Sequence, residues 1–437
     1  MDLLLGIDLG TSYFKLGLFD RELQMRGLGR VAVPTQSTDT RHEVAVEDFW
    51  ATLRAGLHEA LASAGATAAE IVGLSWSSQA NSFLLLDAEA RPLTPLILWT
   101  DCRLADVPDA LERLAHRPDF VETTGLGCGV GPHSAITKLA WLQREAPDLW
   151  AKTARILTIS DYLAYVLTGT LQGDAGTASL LGLMDQRTLA WWPEGLTAAG
   201  IGINQLATPR RPGTQLGRVT KAGGARLGIP AGIPMAAGTL DHHAAAIGAG
   251  LGDCATVSES TGTVLACVGL TETYRPRPGI CFLPGVAPGT YALLTFDGNG
   301  AGVLEWYKRN FAPAISFREL DRLAAEVPAD CEGLTARPLP HLQPGLTGFA
   351  NRRPTHGHGH YARAIMTATA DTLGVLLDRL APEGRPAAVV ATGGGAHSPF
   401  WLQLKRDRLG INIFAASCSE PACRGAARLA AGACGHR

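Results

Sequence analysis

Apolar runs broken by glycine- and hydroxyl-bearing turns recur in two rounds along this chain. The first round opens with Leu3-Leu4-Leu5-Gly6-Ile7-Asp8-Leu9, turns through Gly10-Thr11-Ser12 and returns as Tyr13 to Phe19, a pattern that predicts a β-hairpin. Phe49, Trp50, Leu53, Leu57 and Leu61 then recur at helical spacing over Glu47 to Ala64. Short apolar runs at Ile71 to Trp76 and Phe83 to Asp87 read as buried strands, and Lys138 to Leu149 as an amphipathic helix. A stretch rich in Gly and Pro, Pro209 to Pro234, interrupts the pattern and reads as an interdomain connection. The second round then begins, with strand-and-turn segments over Ala255 to Val268 and Tyr291 to Phe296 and a helix over Gly302 to Asn310. A long helix over Tyr361 to Leu380, a strand at Ala387 to Ala391 and helices over Trp401 to Leu409 and Cys423 to Ala431 complete it. Strands and helices mixed in this way predict α/β layers. The 437 residues exceed what one hydrophobic core usually serves, so two domains are expected, 1–234 and 235–437.

The turns bring in chemistry. Gly10 lets backbone approach a ligand closely, and the N–H groups and hydroxyls of Thr11 and Ser12 suit phosphate oxygens. Asp8, at the strand end, suits a hydrated Mg²⁺ held against the same phosphates. Ser260-Thr261-Gly262-Thr263 repeats the hairpin turn in the second round, and Gly393-Gly394-Gly395 follows a buried strand. Two phosphate-type hairpins and a glycine cluster point to a nucleotide held between two related domains.

Composition narrows the classes. A net charge of −2 with 18% charged residues gives no basic footprint for nucleic acid or an anionic membrane. No apolar stretch approaches the length of a bilayer span, and the start lacks a basic flank and a signal-peptide core, so a cytoplasmic protein is expected. Nine cysteines without a C-x-x-C pair read as free thiols in a reducing compartment. The alternating Gly-His run His356 to His360 reads as a loop more readily than as a metal site.

Asp241 lies in Gly238-Thr239-Leu240-Asp241-His242-His243, just before an Ala-rich helix. One reading is a helix N-cap. The other is a general base that takes a proton from a substrate hydroxyl as it attacks a γ-phosphate. Residues alone leave both open.

Asp8-Leu9-Gly10-Thr11-Ser12, Gly238-x-x-Asp241, Ser260-Thr261-Gly262-Thr263 and Gly393-Gly394-Gly395-Ala396-x-Ser398-Pro399-x-Trp401 resemble, in order and spacing, the motifs of the FGGY carbohydrate kinases. Lys138-Leu139-x-Trp141-Leu142-x-x-Glu145, Trp99-Thr100-Asp101-x-Arg103 and Glu420 to Ala427 extend the resemblance over almost the whole chain, with a lean towards xylulokinases. It implies an α/β, two-domain actin-like ATPase (ribonuclease H-like) fold with a cleft between the domains. It implies ATP and Mg²⁺ as cofactors and a small sugar or polyol as substrate, and leaves a homodimer open. By resemblance Asp241 is the base and Asp8 the acid near Mg²⁺. Gly10, Thr11, Ser12, Lys15, Thr261, Gly262 and Thr263 fall at the phosphates, and Gly394, Gly395 and Ser398 at the adenosine. Gln79, Asn81, Trp99, Asp101, His133 and His242 fall on the sugar side, together with Asp241. Turn roles for Gln79 and Asn81, a core role for Trp99 and a surface-loop role for His133 remain open beside these. Asn81, His133, Ala135 and Met366 to Thr369 depart from the family pattern. The leading expectation is an ATP-dependent kinase of an open-chain ketose, xylulose-like. A polyol kinase of glycerol or erythritol type, a non-catalytic actin-like ATPase and a sugar sensor stand behind it.

Overall fold

The structure is a computed structural model that describes residues 2–104, 106–339 and 345–435. The chain forms two compact units, neither of them contiguous. Met1–Gly248, Thr271–Ala292 and Glu420–Arg437 make the first, and Ala249–Leu270 with Leu293–Ser419 the second. The expected division at 234/235 cuts the chain once, whereas the first unit continues to Gly248 and takes back two later segments.

Leu3–Leu9 forms the middle of the first unit's main sheet, antiparallel to Tyr13–Phe19 and parallel to Ile71–Ser78. Met25–Ala32 extends the Tyr13–Phe19 side. Pro234–Ala236 and Thr239–Leu240 both run parallel to Ile71–Ser78, and Gln215–Arg218 lies outermost. Every residue of Leu3–Leu9 is buried, which accounts for an apolar run without alternation. Helices cover both faces. Val46–Ala64 packs so closely on Met25–Ala32 that a Cβ on Gly29 would lie 1.8 Å from the Gly56 carbonyl oxygen. The helix Pro421–Ala433 packs on the other face, where a Cβ on Gly6 would lie 2.0 Å from the Cys423 carbonyl oxygen. A second, antiparallel sheet contains Phe83–Leu86 and Arg155–Thr158.

Two expectations need correction. Pro209 to Pro234 is not a connection between units. It folds inside the first one, as parts of Thr208–Arg210 and Pro234–Ala236, with Gln215–Arg218 and the helix Lys221–Leu227 between them. The helix expected over Lys138 to Leu149 is two, Ala135–Glu145 and Pro147–Lys152. Pro147 has no N–H to continue the first helix and is well suited to start the second.

In the second unit Val257–Thr261 is antiparallel to Leu265–Thr271 and parallel to Ala388–Thr392, which is parallel to Asn412–Ala415. This repeats the pairing of Leu3–Leu9 with Tyr13–Phe19 and Ile71–Ser78. The echo of the two hairpins is thus one of topology as well as of sequence. The helices His358–Leu380, Phe317–Glu326 and Pro399–Leu409 bury Ala362, Ile365, Met366, Leu320, Trp401 and Leu404 in a shared core. No helix among the described residues is long and apolar enough to cross a membrane.

Candidate active site

In the first unit Asp8 is in register with Ser77, and Ser77 with Thr239. Three parallel strands therefore end in one row, and a candidate group follows each. These are the Gly10-Thr11-Ser12 turn, Gln79 with Asn81, and Asp241. The carboxyl ends of parallel strands are where open α/β sheets bind ligands. Gly238 permits the approach, since a Cβ there would lie 2.0 Å from the Trp76 carbonyl oxygen. Strand packing thus explains the glycine that capping alone does not.

Asp8 is buried and accepts from Ser77 Oγ at 2.9 Å on Oδ1. Lys15 Nζ stands 3.7 Å from its Oδ2 and 2.8 Å from Glu420 Oε2. Burial raises the Asp8 carboxyl to about 6 against the pull of Lys15 and Ser77, with Asp241 and Glu420 adding to the rise. Burial works against the Lys15 ammonium, but Asp8 and Glu420 outweigh it and hold its pKa above the ordinary value. Asp241 is half-buried at the start of the helix Asp241–Ala249, and its Oδ1 accepts the N–H of the next residue, His242, at 2.7 Å. A capping side chain instead accepts from a residue two or three positions on. His243, one turn from Thr239, is buried, and burial lowers its ring to about 4, so it is neutral.

On the expected sugar side the side chains divide. Gln79 is buried, with Nε2 donating to the Gly10 carbonyl at 3.2 Å and Oε1 accepting from Ser82 Oγ at 3.1 Å. It braces the first turn. Asp101 is fully buried, and its carboxylate accepts the His42 N–H and a fork of Arg103 N–H groups at 2.7 and 2.8 Å. Those contacts lower its pKa against burial, and they correct its expected place as a free sugar-binding group. Asn81 takes a left-handed φ of 60°, and its Oδ1 accepts from Ala135 N at 2.9 Å at the start of the helix Ala135–Glu145. Trp99 and His133 remain accessible, their rings 6.0 Å apart, with Trp99 Nε1 donating to Thr11 Oγ1 at 2.8 Å. His242 is half-buried. Lys138, for which sequence reading found a motif but no role, holds this side together. Its buried ammonium donates to the carbonyls of Leu98, Trp99 and His133 at 3.1 to 3.2 Å, while burial pushes its pKa down to about 7.

In the second unit the turn after Val257–Thr261 rests on a buried triad. Lys405 Nζ donates to Glu259 Oε1 and Thr261 Oγ1 at 2.6 Å each, and Thr261 Oγ1 donates to Glu259 Oε2 at 2.7 Å. The Thr261 hydroxyl is therefore spent, and Gly262 and Thr263 are the accessible members of the turn. The glycine cluster packs directly beneath. A Cβ on Gly395 would lie 2.6 Å from Thr261 Cγ2, whereas one on Gly394 would meet nothing within 4 Å. Ser398 Oγ accepts from Trp401 N at 2.8 Å as the cap of Pro399–Leu409 and donates to Asp321. Its hydroxyl, too, is engaged within the protein. Glu259 and Lys405 escaped the sequence reading because they lie 146 positions apart.

Among the described residues no cluster of three or more His, Cys, Asp or Glu could hold a metal by itself. In the histidine run, Nδ1 of His356 and of His360 accepts a backbone N–H, at 3.1 and 3.2 Å. Both Nδ1 atoms are thus engaged within the protein.

Comparison with known proteins covers almost the whole chain with two family models. The N-terminal domain model of the FGGY family of carbohydrate kinases matches residues 3–248, and the C-terminal domain model matches residues 256–434. The chain is 28% identical over 447 residues to the xylulose kinase of Escherichia coli (strain K12), covering 98% of this chain and 89% of that protein. It is 26% identical over 438 residues to the L-xylulose/3-keto-L-gulonate kinase of the same organism, covering 98% and 87%. The crystal structure of a xyloylose kinase from Brucella ovis matches with a TM-score of 0.86 at 25% identity, covering 100% of this chain and 91% of that one.

Proposed function

The chain belongs to the FGGY family of carbohydrate kinases, and on that basis we propose that it transfers the γ-phosphate of ATP to a terminal hydroxyl of an open-chain ketose, a xylulose-like pentulose. The observation that carries the reading is the row of strand ends that sets Asp8, the Gly10-Thr11-Ser12 turn and Asp241 side by side. The acceptor hydroxyl attacks the γ-phosphorus as Asp241 takes its proton, and the bond to the bridging oxygen breaks to release ADP. Gly10, Thr11 and Ser12 bind phosphate oxygens, as do Gly262 and Thr263, with Thr261 acting from below through its triad. The open face at Gly394 receives the adenosine, and Gly395 and Ser398 shape that face. Trp99, His133, His242 and Asn81 meet the sugar, while Gln79 and Asp101 hold the elements that present them.

Asp8 and Asp241 fit Mg²⁺, because both are oxygen donors and Asp241 stands close enough for its charge to add to the rise of the Asp8 carboxyl. The ion would neutralise phosphate charge there, and Lys15 adds a fixed positive charge. The xylulose assignment rests on the names of the relatives and on the Trp99-Thr100-Asp101-x-Arg103 motif.

A panel of ketoses, aldoses and polyols assayed for ATP-dependent phosphorylation tests the reading. The expected result is a phosphorylated pentulose as the best product. Asp241→Ala is expected to lower turnover by ~10²-fold or more with little change in ATP affinity. Near-normal turnover in that variant would remove Asp241 from the reaction, and activity confined to polyols would overturn the ketose assignment.

A further inference from the structure

Cys128 and Cys281 are 153 positions apart in sequence, yet both lie in the first unit, and Cys281 Sγ–H donates to Cys128 Sγ at 3.0 Å. Backbone pairing brings them together. Leu126 bridges Cys281 in antiparallel fashion, Gly127 N donates to the Ile280 carbonyl at 3.0 Å, and Gly279 N donates to the Gly127 carbonyl at 2.7 Å. The two sulfurs differ in access, for Cys128 is exposed and Cys281 is buried. The loop that bears Cys128 also contains Gly129 and Gly131, and it leads through His133 into the helix Ala135–Glu145.

From this geometry we propose that Cys128 and Cys281 form a reversible dithiol/disulfide site that, when oxidised by a low-molecular-weight disulfide, pins the His133 loop and weakens binding of the sugar. The regulatory half rests on the function proposed above. Cys128 is suited to attack and Cys281 to resolve. The thiolate of Cys128 attacks one sulfur of the small disulfide, and the first small thiol leaves with the proton Cys128 has lost. Cys281 then gives up its own proton and attacks Cys128 Sγ, forming the intramolecular bond and releasing the second small thiol. Two protein thiols are oxidised and one small disulfide is reduced to two thiols. The hydrogen bond from Cys281 lowers the Cys128 thiol pKa, which raises the fraction of attacking thiolate. Bond formation draws the sulfurs together by about 1 Å, a displacement large enough to matter five residues from a substrate-facing ring.

The test uses the full chain, reduced, freed of reductant and incubated with oxidised glutathione at mildly alkaline pH. Expected are a mass lower by two hydrogens and a proteolytic fragment joining the Cys128 and Cys281 peptides. Cys128→Ser should give neither, and Cys281→Ser should stop at glutathione linked to Cys128. In the wild type, oxidation should raise the KM for xylulose several-fold and leave the KM for ATP unchanged, with reversal by dithiothreitol and no response in Cys128→Ser. Glutathione capture without the joined peptides overturns the proposal, as does a joined pair with an unmoved acceptor KM. If the reduced enzyme phosphorylates no ketose, the proposed function fails, whereas the peptide result judges the dithiol site on its own.

Discussion

Beneath the turn Thr261-Gly262-Thr263, the ammonium of Lys405 and the carboxylate of Glu259 meet with no solvent exposure on either side chain. Removing one member leaves the other charged and buried. Lys405→Met is therefore expected to destabilise the protein by about 3–5 kcal/mol in denaturant unfolding. The double variant with Glu259→Gln should lose less than the sum of the two single changes, which a double-mutant cycle would measure. Gly394 offers the contrasting case. Nothing lies within 4 Å of a Cβ there, so Gly394→Val should fold normally yet obstruct the nucleotide. A rise of roughly tenfold or more in the KM for ATP, about 1.4 kcal/mol, with little change for the sugar is the expected kinetic signature. Sequence reading marked Thr261 and Ser398 as ligand contacts because their hydroxyls stand in ligand-type motifs. What it could not see is that Lys405 and Asp321, distant in sequence, already engage those hydroxyls. Asp8 and Asp241 could be singled out because one stands near the end of the strand Leu3–Leu9 and the other directly after Thr239–Leu240, where local pattern and position in the sheet agree.

Two helices meet where neither has a side chain. A Cβ on Gly248 would lie 1.8 Å from the Pro421 carbonyl oxygen, and one on Gly425 would lie 1.9 Å from that of Ala244. The helix that begins with Asp241 is thus seated against Pro421–Ala433, which also delivers Glu420 to Lys15. Gly425→Val has no room to relax without separating the helices. It should cost about 1–3 kcal/mol of stability and lower turnover through displacement of Asp241, as urea unfolding and steady-state kinetics would register. Both helices were expected from the sequence, the first as an Ala-rich run after Asp241 and the second over Cys423 to Ala431. Their contact was not, because a glycine–carbonyl approach leaves no apolar signature. The same holds for Pro209 to Pro234, where Gly and Pro resemble a linker but build the outermost strand Gln215–Arg218 and the helix Lys221–Leu227 inside a folded unit.

At the scale of the whole molecule, pH should move activity and stability in opposite directions. The Asp8 carboxyl, raised by burial from 3.8 to about 6, holds its proton more tightly in the native state than in the unfolded chain. Its contribution to stability is fully present below pH 3.8 and lost as pH rises through about 6. Buried Asp161, raised to about 7 by burial and by Asp174, acts in the same sense. On the role proposed for Asp8 its ionised form is the active one, so kcat/KM should fall about tenfold per pH unit below the Asp8 pKa while these two groups add stability. Parallel activity and melting profiles would check this, and Asp8→Asn should remove the acid limb.

The cover that Pro421–Ala433 places over Gly6 also has a consequence in time. Roughly 400 residues separate Gly6 from Gly425, and at roughly 5–20 residues per second a ribosome needs on the order of 20–80 s to make them. The first hairpin thus waits that long before the helix that shelters it has been made. For that interval its Leu4 and Phe19 face, later buried against Cys423, Ala427 and Ala430, is an apolar surface that a nascent-chain chaperone can hold and that a neighbouring polysome can foul.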